Sequence, residues 1–253
     1  MLEKLFFVPD LHAPYEDKRA TALMFDAMLA FEPDTVVVIG DFIDCFAVSN
    51  YSKDPTRLLG LQEEVAHATD LLDRITAKRK IYVCGNHEDR LQRYLADKAP
   101  ELMPFIDIPR LLGLNERGWE WVPYKQSTKI GKLHITHDIG VATRYTIFRV
   151  LETFQSSAVT GHTHRLGYIV EGDATGSQQV SAQFGWLGDV SKVDYMHRVK
   201  AQRFWAHGFG TGIHDTATGF VYLTPHPIVD YSVVVNGTVI KRKSHKALEV
   251  VAA

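Results

Sequence analysis

Cysteine is scarce: Cys45 and Cys84 are the only two in 253 residues. That count excludes a disulfide scaffold. Long apolar runs are missing as well. No stretch approaches the ~20 residues that a membrane-spanning helix needs. The opening "MLEKLFFVPDLH" has one Lys and an apolar run too short for a signal peptide. These absences predict a soluble, cytoplasmic protein with no membrane partner. An excess of either charge is lacking too. The net charge is −2 and the pI about 6.6, so no global basic field marks a partner for nucleic acid or anionic lipid. A local basic patch stays open. No internal repeat, low-complexity segment or linker interrupts the chain.

What is present is a large apolar fraction, 45%, and twelve histidines. A chain of this length and composition can bury a sizeable core, and a single domain over 1–253 is expected. "KLFFV", 4–8, and "DTVVVIG", 34–40, read as buried strands, and "KIYVCG", 80–85, as a third. Apolar residues recur at helical spacing in 18–31 and 60–80. The order strand, helix, strand, helix, strand predicts parallel pairing through crossover helices. Helices are also expected over 89–99 and 141–154, and two short strands over 128–137. A hairpin is expected within 166–188 and another at Asn236-Gly237. Segments near 46–60, 100–126 and 186–215 carry no clear period and are expected to cap the site.

In open α/β sheets, ligands gather beyond the carboxyl ends of the strands. After the first strand come Asp10 and His12, and after the second Asp41 and Asp44. After the third come Asn86, His87, Glu88, Asp89 and Arg90. His137 follows "LHIT", and His162 and His164 follow "SAVT". Taken singly, each has an ordinary explanation as a cap, a turn or a partly buried histidine. Five strand ends that all deliver metal-ligand residue types point to one site. Mixed nitrogen and oxygen donors suit Mn, Fe, Zn or Ni rather than Ca. Two ions ~3.5–4 Å apart can clamp a phosphate and generate hydroxide between them.

The blocks D-x-H, G-D-x-x-D, G-N-H-[DE], H and G-H-x-H appear here in that order. They are Asp10/His12, Gly40-Asp41 to Asp44, Gly85-Asn86-His87-Glu88, His137 and Gly161-His162-Thr163-His164. This set resembles the signature of the calcineurin-like metallophosphoesterases. "DLHAPY" and "GNHEDR" look closest to small bacterial and phage-encoded members, for which the compartment would be the host cytoplasm. The resemblance implies an α/β fold, a four-layer α/β/β/α sandwich with its second sheet beyond residue 165. It also implies two metal ions, manganese in the first instance. Carried over, one ion takes Asp10, His12 and His164, and the other Asn86, His137 and His162, with Asp41 bridging. His87 would act as general acid or phosphate donor, oriented by Asp44. The implied reaction is in-line attack of metal-bound hydroxide on a phosphomonoester or phosphodiester, a phosphoric ester hydrolase. Two departures stand out. Cys45-Phe46 follow Asp44, where protein phosphatases of this family carry Arg-Gly, and Asp138 replaces the usual Gly after His137.

Other residues carry weaker signals. Arg90 and Arg165 each follow a ligand block, placed either to contact phosphate oxygens or as ion-paired surface residues. Glu88 and Asp89 read as helix N-terminal or supporting carboxylates. "DYMHRVKAQRFWAHGFGTGIHD", 194–215, reads either as a specificity loop, through His207 or Tyr195, or as a core segment. "KRKSHK", 241–246, is a basic run that could touch a nucleic-acid backbone or sit in solvent. Two alternatives to a small-ester hydrolase are a nuclease built on the same site and a non-catalytic binding module. The second fits poorly with a complete ligand set.

Overall fold

The computed structural model describes residues 1–53, 57, 59–172, 174, 176–192, 204–244 and 247–252. Strand β1 (Leu2–Val8) runs through the middle of a six-stranded sheet. Its residues Leu5, Phe6, Phe7 and Val8 are all fully buried, so both faces of the sheet are covered. Phe6 and Val8 face one way, with Val36, Val38 and Tyr82. Leu5 and Phe7 face the other, with Val37, Ile39, Ile81 and Val83. That period of two divides the interior into two apolar layers.

The first layer lies under α1 (Lys18–Phe31) and α2 (Leu61–Leu72). Asp17 caps α1 by accepting from the Arg19 and Ala20 amides at 2.9 Å. The sheet continues from β1 to β2 (Thr35–Val38), β3 (Arg79–Val83) and β4 (Trp119–Val122), all parallel. Helices α3 (Asp89–Lys98) and α4 (Ile108–Leu111) lie in the connection from β3 to β4.

The second layer is closed by a five-stranded sheet. It is built from β5 (Thr128–Ile130), β6 (Leu133–Ile135), β7 (Ala158–Thr160), β8 (Leu166–Gly172) and β9 (Gln178–Phe184), in the order β5-β6-β7-β9-β8. Ile130, Leu133, Ile135, Val159, Ala182 and Phe184 pack against the first sheet. Helix α5 (Thr146–Phe154), with buried Val150 and Leu151, covers the outer face beside β7 and β9. The layers are therefore helix, sheet, sheet, helix, the expected sandwich. Strands β10 (Gly208–Asp215) and β11 (Val221–Pro227) return to the first sheet, antiparallel beside β1. A small sheet of β12 (Ser232–Val235), β13 (Thr238–Ser244) and β14 (Ala247–Ala252) packs on α1.

Several elements depart from the sequence expectation. The second sheet begins at Thr128, not beyond residue 165, and two late strands join the first sheet instead. Helix α2 stops at Leu72 rather than near 80. The pairing of Thr35 with Arg79 needs extended backbone there, and Ile75 stays buried without helix geometry. Helix α5 starts at Thr146 rather than 141. The Thr146 hydroxyl donates to the Val141 carbonyl and accepts from the Thr143 amide, which holds 141–146 as a turn. The expected cap near 100–126 contributes β4 to the sheet edge. The expected cap near 186–215 contributes buried β10 and Trp186, a fully buried side chain. Tyr195, like 193–203 as a whole, lies outside the described residues, as do 54–56, 58 and positions 245–246 of the basic run.

Candidate metal centre

The parallel strands β1, β2 and β3 of one sheet and β6 and β7 of the other deliver their following residues to a common edge. Asp10 comes after β1, Asp41 after β2, Asn86 and His87 after β3, His137 after β6, and His162 and His164 after β7. Close approach there depends on glycine. A Cβ on Gly161 would lie 2.4 Å from Asp10 Oδ1, and one on Gly85 would lie 2.2 Å from Asp41 Oδ1.

Two donor groups converge. Atoms of Asp10, His12, Asp41 and His164 come within 4.8 Å of one another, and so do atoms of Asp41, His137 and His162. Asp41 belongs to both. Its Oδ2 is 3.3 Å from His137 Nε2. Asn86 joins the second group, with Oδ1 at 3.0 Å from His137 Nε2 and 2.7 Å from His162 Nδ1. His12 Nε2 faces His164 Nε2 at 3.0 Å, an approach in which at most one nitrogen donates. The seven residues expected as ligands are thus brought together, and most are deeply buried: Asp10 is 0% exposed, Asp41 1% and His137 1%.

Their electrostatics suit cations. Asp10 Oδ1 is buried with no hydrogen-bond partner, which a buried carboxylate oxygen rarely tolerates. Burial opposes ionisation of Asp41, yet the His137 and His87 rings hold its carboxyl well below the usual range. Burial works against the His137 cation too, but Asp41 and Asp10 outweigh it and raise that imidazole to about 10. Burial lowers His164 to about 4. A buried cluster that draws protons onto one ring to balance its carboxylates is a cluster that divalent cations would satisfy, and mixed N/O donors are the right chemistry. The residues present therefore fit a pair of metal ions.

Four of the seven, His12, Asp41, His162 and His164, adopt left-handed backbone, with φ of 58°, 48°, 65° and 57°. Such a conformation costs ~1–2 kcal/mol per ordinary residue. Part of the holding force comes from Glu88. It is buried and accepts from the amides of Asp41, Phe42, Ile43 and Gly85 and from the Tyr82 hydroxyl, at 2.8 to 3.3 Å. Burial and the nearby Asp41 push its pKa up, which the histidine, tyrosine and backbone contacts oppose. Glu88 thus pins the turn that presents Asp41. Asp89 begins α3 and pairs with Arg93 at 2.9 Å.

His87 and Asp44 form a second buried pair beside these groups. His87 Nδ1 lies 3.3 Å from Asp44 Oδ2 and 3.2 Å from the Asp44 carbonyl. His12 Nδ1 also contacts Asp44 Oδ2, at 3.2 Å. Burial lowers the His87 pKa, against Asp41 and Asp44. Arg90, expected either at phosphate oxygens or in an ion pair, is ion-paired and partly buried while lining both cavities. Its Nη1 donates to the Asp44 carbonyl and Oδ1, and its Nη2 to His87 Nε2 at 3.0 Å. Arg165 does line the cavity over the site. His207 backs Trp186 and bonds the Gly188 carbonyl rather than entering the cavities at the site. Trp186 in turn stacks on His164 at 4.8 Å. Cys84 is buried, as its strand position implied.

Two residues were not legible. Arg57 reaches in from the segment after η-turn 46–48, stacks on Tyr15 and Phe46 at 4.0 and 3.8 Å, and places Nη2 at 3.2 Å from Asp44 Oδ1. Glu64 sits on the buried face of α2, beside the partly buried Leu61 and Val65. Burial, then Asp44, raises its pKa to about 7. Between the ordinary carboxylate value and that value the folded state binds the extra proton, so Glu64 makes stability fall as pH rises through this window, by about 3 kcal/mol. Glu64→Gln keeps an acceptor for the Ala47 amide and is expected to flatten that slope. Urea unfolding with chelator at about pH 5 and about pH 8 measures it. An unaltered slope would assign it to other groups.

A sandwich whose strand ends gather Asp, Asn and His in this order defines a metal-dependent phosphoesterase class. The chain belongs to the calcineurin-like phosphoesterase family, whose model matches residues 4–166. It is similar to the gene 54 proteins of Mycobacterium phage D29, at 26% identity over 83% of this chain and 88% of the relative, and of Mycobacterium phage L5, at 25% with the same coverage. Among solved structures it is similar to Vps29 from Entamoeba histolytica, at 15% identity and TM-score 0.45 over 99% of this chain and 98% of that one. It is also similar to YfcE, a phosphoesterase from E. coli, at 15% and 0.39 over 84% and 88%. No helix among the described residues is long and apolar enough to cross a membrane.

Proposed function

We propose that the protein is a dinuclear metal-dependent phosphoesterase that hydrolyses phosphomonoesters, phosphodiesters or both. The observation that carries this reading is Asp41, shared between two convergent donor groups. In it, Asp10, His12 and His164 hold one ion, Asn86, His137 and His162 the other, and Asp41 serves both. When bound, such ions supply a hydroxide nucleophile and neutralise charge on phosphate oxygens; manganese is the first choice among Mn, Fe, Zn and Ni.

The chain's own residues do the rest. Asp44 holds His87 through Nδ1; Nε2 accepts from Arg90 and must exchange that contact for the substrate to carry a proton toward the leaving oxygen or a phosphate oxygen. Arg57 and Arg90 both hold Asp44, so the pair keeps its orientation without a mobile counter-charge. Arg90 is then a positioning residue and Arg165 the better candidate for phosphate contact. Residues from 46–60, 100–126 and 186–215 line the cavities at the centre, which is the capping role proposed for those segments of a single domain.

The test is turnover of p-nitrophenyl phosphate and its bis-ester by Mn²⁺-loaded protein, with loss on chelation and recovery on adding metal back. Failure on both esters with two ions bound would count against a small-ester hydrolase, and failure on oligonucleotides as well would leave a binding module.

A further inference from the structure

Two cavities meet at the candidate centre. One, about 400 Å³, runs past His87 and His164 to Arg165, Phe204 and Trp205. The other, about 500 Å³, leads instead to Tyr124, Lys125 and Arg93. Both are lined by Tyr51, Asn86, Arg90 and His162, so together they form one groove with the donor groups at its waist. Each is of the size that holds a small organic ligand, ~300–1,000 Å³. A small monoester needs only one limb.

Basic and aromatic side chains occur in both limbs. Asp89, the one carboxylate in the far lining, is paired with Arg93, as Arg90 is with Asp44. Arg165 lies over the Phe204 ring at 5.0 Å, Arg90 over Tyr51 at 5.7 Å, and Lys125 beside Tyr124 at 5.5 Å. Tyr51 is 67% exposed and Phe204 45%. Arg165 Nε and Nη1 are buried with no hydrogen-bond partner, and Arg165 is in no ion pair among the described residues. Its charged neighbour is another cation, Arg144. A guanidinium left beside like charge, at the edge of a phosphate site, is placed for an anion. At the far limb, burial and then a side-chain hydrogen bond to Asp138 raise the Tyr124 phenol pKa. The departure from glycine after His137 thus reaches the groove wall.

A basic track with aromatic platforms matches a chain that alternates phosphates with bases. Phosphopeptides offer no regular succession of rings. We infer that the substrate is single-stranded nucleic acid, bound with nucleotides on both sides of the phosphate held at the waist, so that cleavage is internal. The inference rests on the phosphoesterase reading above. In the reaction a water oxygen bonds to phosphorus, the bond to one sugar oxygen breaks, and that oxygen leaves with a proton.

The test uses full-length, Mn²⁺-loaded protein with end-labelled single-stranded DNA and RNA oligonucleotides, beside bis-p-nitrophenyl phosphate and a phosphopeptide. Internal cuts that weaken steeply with salt are expected. Lys125→Glu and Tyr124→Ala should each lower the ratio of oligonucleotide to bis-ester kcat/KM by roughly tenfold. Bis-ester turnover with intact oligonucleotides would overturn the inference and leave the phosphoesterase reading standing. So would release of terminal nucleotides alone, preferential hydrolysis of the phosphopeptide, or an unchanged ratio in both variants. Loss of turnover on every substrate would instead sink the phosphoesterase reading itself.

Discussion

Asp41→Asn is expected to cut turnover by far more than the ~10–100-fold that changes outside the ligand shell cause, and to leave fewer than two metal ions per chain. The substitution removes one charge and one oxygen donor where two donor groups share a residue. It changes little in shape. Asn tolerates the left-handed backbone that Asp41 adopts, and its amide oxygen can still accept from the His87 amide, as Asp41 Oδ1 does at 2.9 Å. Packing is unchanged, but the charge contact with His137 is lost, so the melting temperature with chelator should fall somewhat. Metal analysis by mass spectrometry together with kcat gives the answer. Full occupancy by two ions in the variant would remove Asp41 from the shared position.

His87→Asn should spare the metals and cost kcat. A positioned proton donor is worth ~10²–10⁴-fold, and the loss should be greatest for alkyl esters, whose leaving oxygen needs a proton most. For p-nitrophenyl esters the loss should be smaller. The prediction rests on the contact of Nδ1 with Asp44 and on Nε2, which lies at the cavity beside Arg90. Two bound ions and unchanged kcat on an alkyl ester would show that His87 has no part in proton transfer.

The framework was legible where period and motif act locally. α1 spans the residues its apolar spacing marked, and the Asn236-Gly237 turn joins β12 to β13. The seven donor residues could be named because each directly follows a strand, and strand ends are where a parallel sheet presents its loops. What stayed hidden depends on contacts far apart in sequence. Arg57 belongs to a segment without period, and its partner Asp44 is across a loop. Glu64 looks like a solvent-side residue of α2 until the 46–48 turn is folded over it. Glu88 shows its role only once Asp41 and Gly85 are adjacent in space. The strand period of β10, read as either a specificity loop or a core segment, is hidden by its glycines. Those glycines let Phe184 and Leu166 press on the strand, where a Cβ on Gly210 or Gly208 would lie 2.5 or 2.3 Å away from them.

The left-handed backbone at His12, Asp41, His162 and His164 bears on how such a centre can change over time. Among residues with side chains, Asn, Asp and His are the ones enriched in that conformation. They are also the short side chains that offer a metal an oxygen or a nitrogen. At these four positions the fold and the proposed metal ions accept the same small alphabet. Drift among its letters, His164 to Asp for example, would alter the hardness of the donor set and hence the preferred ion, at little conformational expense. Drift outside it would meet two penalties at once.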